Sequence, residues 1–170
     1  MENYKVTENF TIKELLFGVN DPIESRRLSE KALTPQIIED YSKLGLVLQQ
    51  IRNWANVEFM DENGGNEIRI TILSGFRTPE WEKLRGRSGK SQHTKCADDF
   101  TASNCSDKLA VKINKAIYNY LHNKKYMGGL ALKEPTYEKN KIIKLGFVHI
   151  DSRTPDASHI ARGYGVRWYY

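Results

Sequence analysis

The sequence predicts an α+β domain in which a small antiparallel sheet packs against helices. Three observations carry that expectation. Residues 37–51 and 109–121 place apolar side chains at three- and four-residue steps, the period of a helix with one buried face. Shorter runs alternate apolar and polar residues or are briefly all apolar, as strands are. Helices come first along the chain, and strands mixed with helices follow. At 170 residues the chain suits one domain with a real core and is short for two.

Each element has a local cause. Thr11 followed by Glu14 reads as a capping box, so a short helix is expected from there to about Phe17. Residues 18–29 read as a loop. Thr34-Pro35 is a helix start, with an N-cap hydroxyl and a proline in the first turn. The stripe Ile37, Tyr41, Leu44, Leu48 and Ile51 then predicts one long amphipathic helix ending near Trp54. Gly64-Gly65 marks a turn over residues 61–66. Ile68, Ile70 and Ile72 alternate with Arg69 and Thr71, the pattern of a half-buried strand. Thr78-Pro79 starts a short helix to about Leu84, and residues 86–90 form a flexible basic loop.

Residues 97–101 read as a short strand. Ser106 caps a helix whose face is Leu109, Ile113, Ile117 and Leu121, and Gly128-Gly129 ends it. Residues 130–133 and 142–150 predict two more strands, joined by a polar hairpin loop that contains Pro135. The tail is irregular and aromatic. There is no internal repeat and no low-complexity segment.

Composition bounds the function. Hydrophobic residues make up 39% and charged residues 28%, which is ordinary globular usage. The net charge of +5 suits solubility and equally suits polyanionic partners, nucleic acid or cell-wall polymer. No nucleic-acid motif is present and acidic residues are well mixed in, so no nucleic-acid partner is expected. No apolar run is long enough to span a membrane, and no h-region follows residues 1–5, so synthesis in the cytoplasm without a signal peptide is expected. Cys96 and Cys105 are too few for a disulfide framework and wrongly spaced for a zinc ribbon.

Two short segments carry the chemistry. Residues 91–100 read SQHTKCADDF, and residues 146–151 read GFVHID. Each puts a histidine, His93 or His149, near aspartates and an apolar strand-like run. Two histidines and a carboxylate suit a catalytic zinc ion (Zn2+) that keeps its fourth position for water. A lone histidine in a strand is more often a satisfied structural residue.

The run ILSGFRTPE at residues 72–80 resembles the SGYRSPE segment of the D-Ala-D-Ala carboxypeptidase-like zinc peptidases, which share the hedgehog/D-Ala metallopeptidase fold. SQHTKCADDF is similar to that family's S-x-H-x-x-G-x-A-x-D motif. FVHIDSR at residues 147–153 is similar to its last strand, ENFTIKEL at residues 8–15 to the start of phage and bacterial members, and Arg167-Trp168 to a dipeptide near their ends. The resemblance therefore covers nearly the whole chain. It implies metal ligands at His93, Asp99 and His149, a substrate-binding arginine at Arg77, and site-shaping roles for Ser91 and Gln92. It implies peptidase action on peptidoglycan stem or cross-bridge peptides. The chain would act as a phage-type lytic enzyme on the wall after release, or as a virion part.

Three departures leave alternatives open. The motif glycine is Cys96, and Asp99 lies six residues after His93, one fewer than in the motif. Side chains alternate along a strand, so a one-residue shift would turn the carboxylate away. Asp99 ranks first as ligand, Asp98 second, and Cys96 as thiolate last. The positions where relatives carry a general base hold Gly146 and Phe147. Asp151, on the same strand face as His149, is then the best local candidate for the base, or else it orients a histidine or pairs with Arg153. His159 is a further candidate. Finally, a polar insertion at residues 134–141 lengthens the last hairpin and is either a rim for substrate or a surface loop. Arg85, Arg87, Lys90 and Lys95 could draw anionic polymer to the site. Trp81, Tyr164, Trp168 and Tyr169 could stack on sugar or peptide, or simply pack. A catalytically degenerate member, serving as a virion structural or wall-binding module, is the competing reading.

Overall fold

The computed structural model describes residues 2–153 and 165–169. Its elements are α1 (Ile12–Leu16), α2 (Ile23–Ala32), α3 (Pro35–Phe59), β1 (Arg69–Ser74), α4 (Pro79–Leu84), β2 (Ala97–Ser103), α5 (Asp107–Asn123), β3 (Gly129–Lys133), β4 (Thr136–Glu138), β5 (Lys141–Lys144), β6 (Phe147–Asp151) and β7 (Arg167–Tyr169). The fold is α+β. Five strands form one sheet in the order β1-β2-β6-β3-β7, antiparallel except that β7 runs parallel to β3. No helix among the described residues is long and apolar enough to cross a membrane.

The caps stand where the sequence puts them. Glu14 N–H donates to Thr11 Oγ1, and Thr11 N–H donates back to the Glu14 carboxylate at 2.8 Å. Thr34, Thr78 and Ser106 cap α3, α4 and α5 through their hydroxyls. Helix α3 runs past Trp54 to Phe59, because Ala55 and Phe59 continue the buried stripe and no glycine or proline intervenes.

Two expectations are corrected. Residues 23–29, read as part of a loop, belong to α2, which runs on to Ala32. Its buried positions are Ser25 and Ser29, while Ile23 is 74% exposed, so an apolar period is missing. The helix is fastened instead by Ser29 Oγ, which donates to Phe76 O at 3.0 Å. Residues 142–150, read as one strand, divide at Gly146 into β5 and β6. Gly146 has φ +72, and a Cβ there would meet Lys133 O at 2.2 Å, so only glycine fits the corner. The polar insertion is itself ordered as the β4–β5 hairpin, turning through Lys139 and Asn140 at φ 46 and 66.

The sheet has one core face and one chemical face. Phe100, Ala102, Val148, Ile150, Leu130 and Leu132 are buried in the same apolar cluster as Tyr41, Leu48 and Ile51 of α3 and Ile113 and Ile117 of α5. Alternation sends Asp99, His149 and Asp151 to the opposite face. At the end of β1 the backbone is pinned by Asp21, which accepts from Gly18 N–H, Gly75 N–H and Ser74 Oγ at 2.8, 2.9 and 2.7 Å. Gly75 lies so close to α1 that a Cβ would meet Leu15 O at 2.3 Å. This junction fixes the carbonyl of Gly75 and the start of the segment carrying Arg77.

Candidate metal centre

Asp99 on β2 and His149 on β6 are directly paired across the ladder, so their side chains rise together from one face. His149 Nδ1 lies 2.7 Å from Asp99 Oδ1. His93 arrives from a single 3-10 turn, Gln92–Thr94, and its Nε2 lies 3.3 Å from Asp99 Oδ2. The two rings are 5.2 Å apart at 70°. Ligand atoms of His93, Asp99 and His149 all fall within 4.8 Å of one another, and both histidines are 3% exposed.

The outer nitrogens set the tautomers. His93 Nδ1 is 2.8 Å from Gly75 O, a pure acceptor, so that nitrogen carries the hydrogen and Nε2 turns its lone pair inward. Both His149 nitrogens face carboxylate oxygens, Nε2 at 3.3 Å from Asp151 and Nδ1 at 2.7 Å from Asp99, so with its hydrogen kept on Nε2 the ring has Nδ1 to give to a metal. The inward nitrogens, Nε2 of His93 and Nδ1 of His149, both face Asp99, where a proton on each bonds the carboxylate or a bound cation would take the proton's place. Burial pushes the Asp99 carboxyl up, but the charges and hydrogen bonds of His93 and His149 outweigh it and hold it well below the usual carboxylate range. Burial likewise pulls His149 down, yet hydrogen bonds to Asp151 and Asp99 leave it above its ordinary value. This donor set and its supports suit zinc, with room left for a fourth ligand.

The two fallback ligands lie elsewhere. Asp98 pairs with Ile150 on the core face, fully buried, and neither carboxyl oxygen has a hydrogen-bond partner among the described residues. Burial first, and then the nearby charge of Asp99, raise its carboxyl well above the ordinary value. Cys96 is buried, and burial holds its thiol up, disfavouring the thiolate a metal needs. The short gap from His93 is taken up by the turn and Lys95–Cys96, so Asp99 keeps its strand place.

Asp151 is 0% exposed and saturated. Gly129 N–H donates to it at 2.9 Å, Arg153 donates through its backbone N–H at 3.0 Å and through its guanidinium, and His149 Nε2 stands beside it. Gly129 must be glycine, since a Cβ would meet Asp151 Oδ2 at 2.3 Å. Burial raises Asp151, but the hydrogen bonds from His149 and Arg153 win and hold it below the usual range. Those contacts orient His149.

A cleft of about 610 Å3 opens over the group. Arg77, Ser91 and Gln92 line it. Arg77 N–H donates to His93 O at 2.9 Å, and Ser91 Oγ accepts from His93 N–H at 3.3 Å, so both hold the turn that carries His93. Arg87 and Lys90 line the cleft as well, whereas Arg85 lies over the Trp81 ring at 5.8 Å and Lys95 is exposed outside it. Phe147 joins the cleft to a second groove, about 570 Å3, bordered by Lys133 and Lys144 beside the β4–β5 hairpin. Trp168 and Tyr169 belong to β7, two strands beyond β6 at the sheet edge. His159 and Tyr164 fall outside the described residues.

Sequence reasoning missed Glu82. It is 2% exposed on α4, faces the cleft, and pairs with both Arg77 and Arg87. A glutamate in a short polar helix carries no sign of burial, so no sequence signal marked it.

Comparison with protein-family models, with curated proteins and with solved structures finds no match to this chain.

Proposed function

We propose that the chain is a zinc-dependent peptidase of the D-Ala-D-Ala carboxypeptidase-like group, with the hedgehog/D-Ala metallopeptidase-like fold, cutting peptidoglycan stem or cross-bridge peptides as a phage-type lytic enzyme. The carrying observation is that ligand atoms of His93, Asp99 and His149 lie within 4.8 Å of one another while Gly75 O and Asp151 stand at the outer nitrogens of the two histidines. Zinc held there would supply a Lewis acid for the scissile carbonyl and an acidified water. The chain's own residues do the rest. Gly75 and Asp151 fix which imidazole nitrogens are free. Arg77, at the cleft wall, offers a guanidinium to the carbonyl oxygen as negative charge grows on it. Burial of both histidines strengthens these interactions by excluding water.

One observation favours a second reading. Apart from Asp99, Glu82 is the one carboxylate lining the cleft among the described residues, and it is ion-paired with Arg77 and Arg87, while Asp151 is fully buried and paired with Arg153, so neither offers a free carboxylate to water. A metal-holding but non-catalytic wall-binding or virion module fits that.

The two readings separate in one assay. Purified peptidoglycan is incubated with zinc-loaded protein and new amino groups are counted. The peptidase reading expects release that His149→Ala abolishes with the fold intact. Sedimentation with the wall but no release supports the binding module and rejects the peptidase.

A further inference from the structure

Glu82 places two guanidinium groups side by side. Its Oε1 is 3.3 Å from Arg77 Nη1 and 3.0 Å from Arg87 Nη1. Arg87 is also folded back onto α4, its N–H donating to Glu82 O at 2.9 Å. Glu82 is the one acceptor of the Arg77 guanidinium among the described residues, and Arg77 Nε is buried without a partner. One carboxylate cannot neutralise two guanidinium groups, so this wall keeps a surplus positive charge, with Lys90 exposed on the same cleft. Arg153, which also lines the cleft, is ion-paired with Asp151. Among the described residues the cleft is therefore asymmetric, with the surplus positive charge on the Arg77–Arg87 side.

Resting on the peptidase reading, we propose that Arg87 is a specificity residue. It takes a substrate carboxylate one residue away from the carbonyl that Arg77 meets, and Glu82 positions the two guanidinium groups at that spacing. Both groups touch one oxygen, so they are adjacent, and neighbouring residues of a peptide repeat at roughly 3.8 Å. Arg87 is half exposed, and its planar fork matches a carboxylate in two-point fashion. The carboxylate is either the free C-terminus of the leaving residue or an acidic side chain on it.

The test uses the zinc-loaded full chain and three peptides of equal length. They are N-acetylated trialanine with a free C-terminus, its C-terminal amide, and the amide with aspartate in the last position. The wild type is expected to prefer a carboxylate over the plain amide by about tenfold or more in kcat/KM, the worth of one charged hydrogen bond. Which of the two acids wins identifies the carboxylate's source. Arg87→Gln is expected to collapse that preference toward one while zinc content holds. Glu82→Gln is expected to lower kcat/KM for acid and amide alike, with zinc retained. Calorimetric binding of the same peptides runs in parallel. If the wild type cuts none of them, the carboxylate preference is read from affinity, and the peptidase reading stands or falls on the peptidoglycan assay. Equal treatment of acid and amide by the wild type, or an unchanged preference in Arg87→Gln, overturns the proposal.

Discussion

Asp98 and Asp99 are neighbours on β2 with the same side chain and opposite surroundings. Asp99 faces His149 and His93, and its charge is held in place by them. Asp98 faces the core with no hydrogen-bond partner among the described residues. One residue of register decides between a carboxylate kept ionised and a carboxyl pushed toward its neutral form. A buried charge is retained only where partners repay its desolvation. The chemical face of the sheet supplies such partners and the core face does not.

The comparison can be broken from the metal side first. His149→Ala removes one inward lone pair, and hydrolysis of peptidoglycan is expected to fall to background while the circular dichroism spectrum stays native. Asp151→Asn leaves the inner ligands intact but weakens the hold on His149 Nε2. Zinc affinity is expected to drop roughly 10- to 100-fold, measured by competition with a chelator. A loss as complete as that of His149→Ala would make Asp151 more than an orienting group.

Acidity sharpens the contrast. In the metal-free protein His149 binds its proton above the ordinary histidine value, and zinc must displace that proton. Zinc affinity is expected to climb by up to about tenfold per pH unit through and above the usual histidine range, then level off. The linked stability has the opposite sign. A raised histidine stabilises the metal-free fold fully below its unfolded value, and that stabilisation is lost as pH rises through the folded value. Urea titrations of metal-free protein across pH 5 to 9 follow this slope.

Asp98→Asn carries the smallest effect on the site and a distinct one on the fold. The raised carboxyl of Asp98 costs stability as pH rises above the unfolded carboxylate value, because the unfolded chain ionises there and the folded one resists. The variant is expected to match the wild type near pH 4 and to exceed it in stability at pH 8, as read by urea titration at the two pH values. Zinc stoichiometry is expected to stay the same. Equal stability at pH 8 would mean that Asp98 finds a partner in solution.

The elements that were legible in the sequence are those whose burial leaves a period. Helices α3 and α5 show theirs in Leu44, Leu48 and Ile51 and in Ile113, Ile117 and Leu121, and β1 shows its alternation in Ile70 and Ile72. Helix α2 was not legible, because Ser25 and Ser29 are its buried residues and Pro22 gives no side-chain cap. The break at Gly146 was hidden by the apolar residues on both sides of it. At the site, His93, Asp99 and His149 could be picked out by their motif order, and the structure brings those three together. The placing of Asp151 beside His149 followed from two-residue alternation. Glu82 and the Gly75 carbonyl could not be read, since one depends on how α4 lies against the cleft and the other is backbone.

The most direct measurement is metal content of untagged protein purified without added metal, with Asp99→Ala and Asp98→Asn prepared alongside. About one zinc per chain is expected in the wild type and in Asp98→Asn, and none in Asp99→Ala. A wild type that holds no metal and takes up none from micromolar zinc, or an Asp99→Ala that keeps it, would contradict the metal centre.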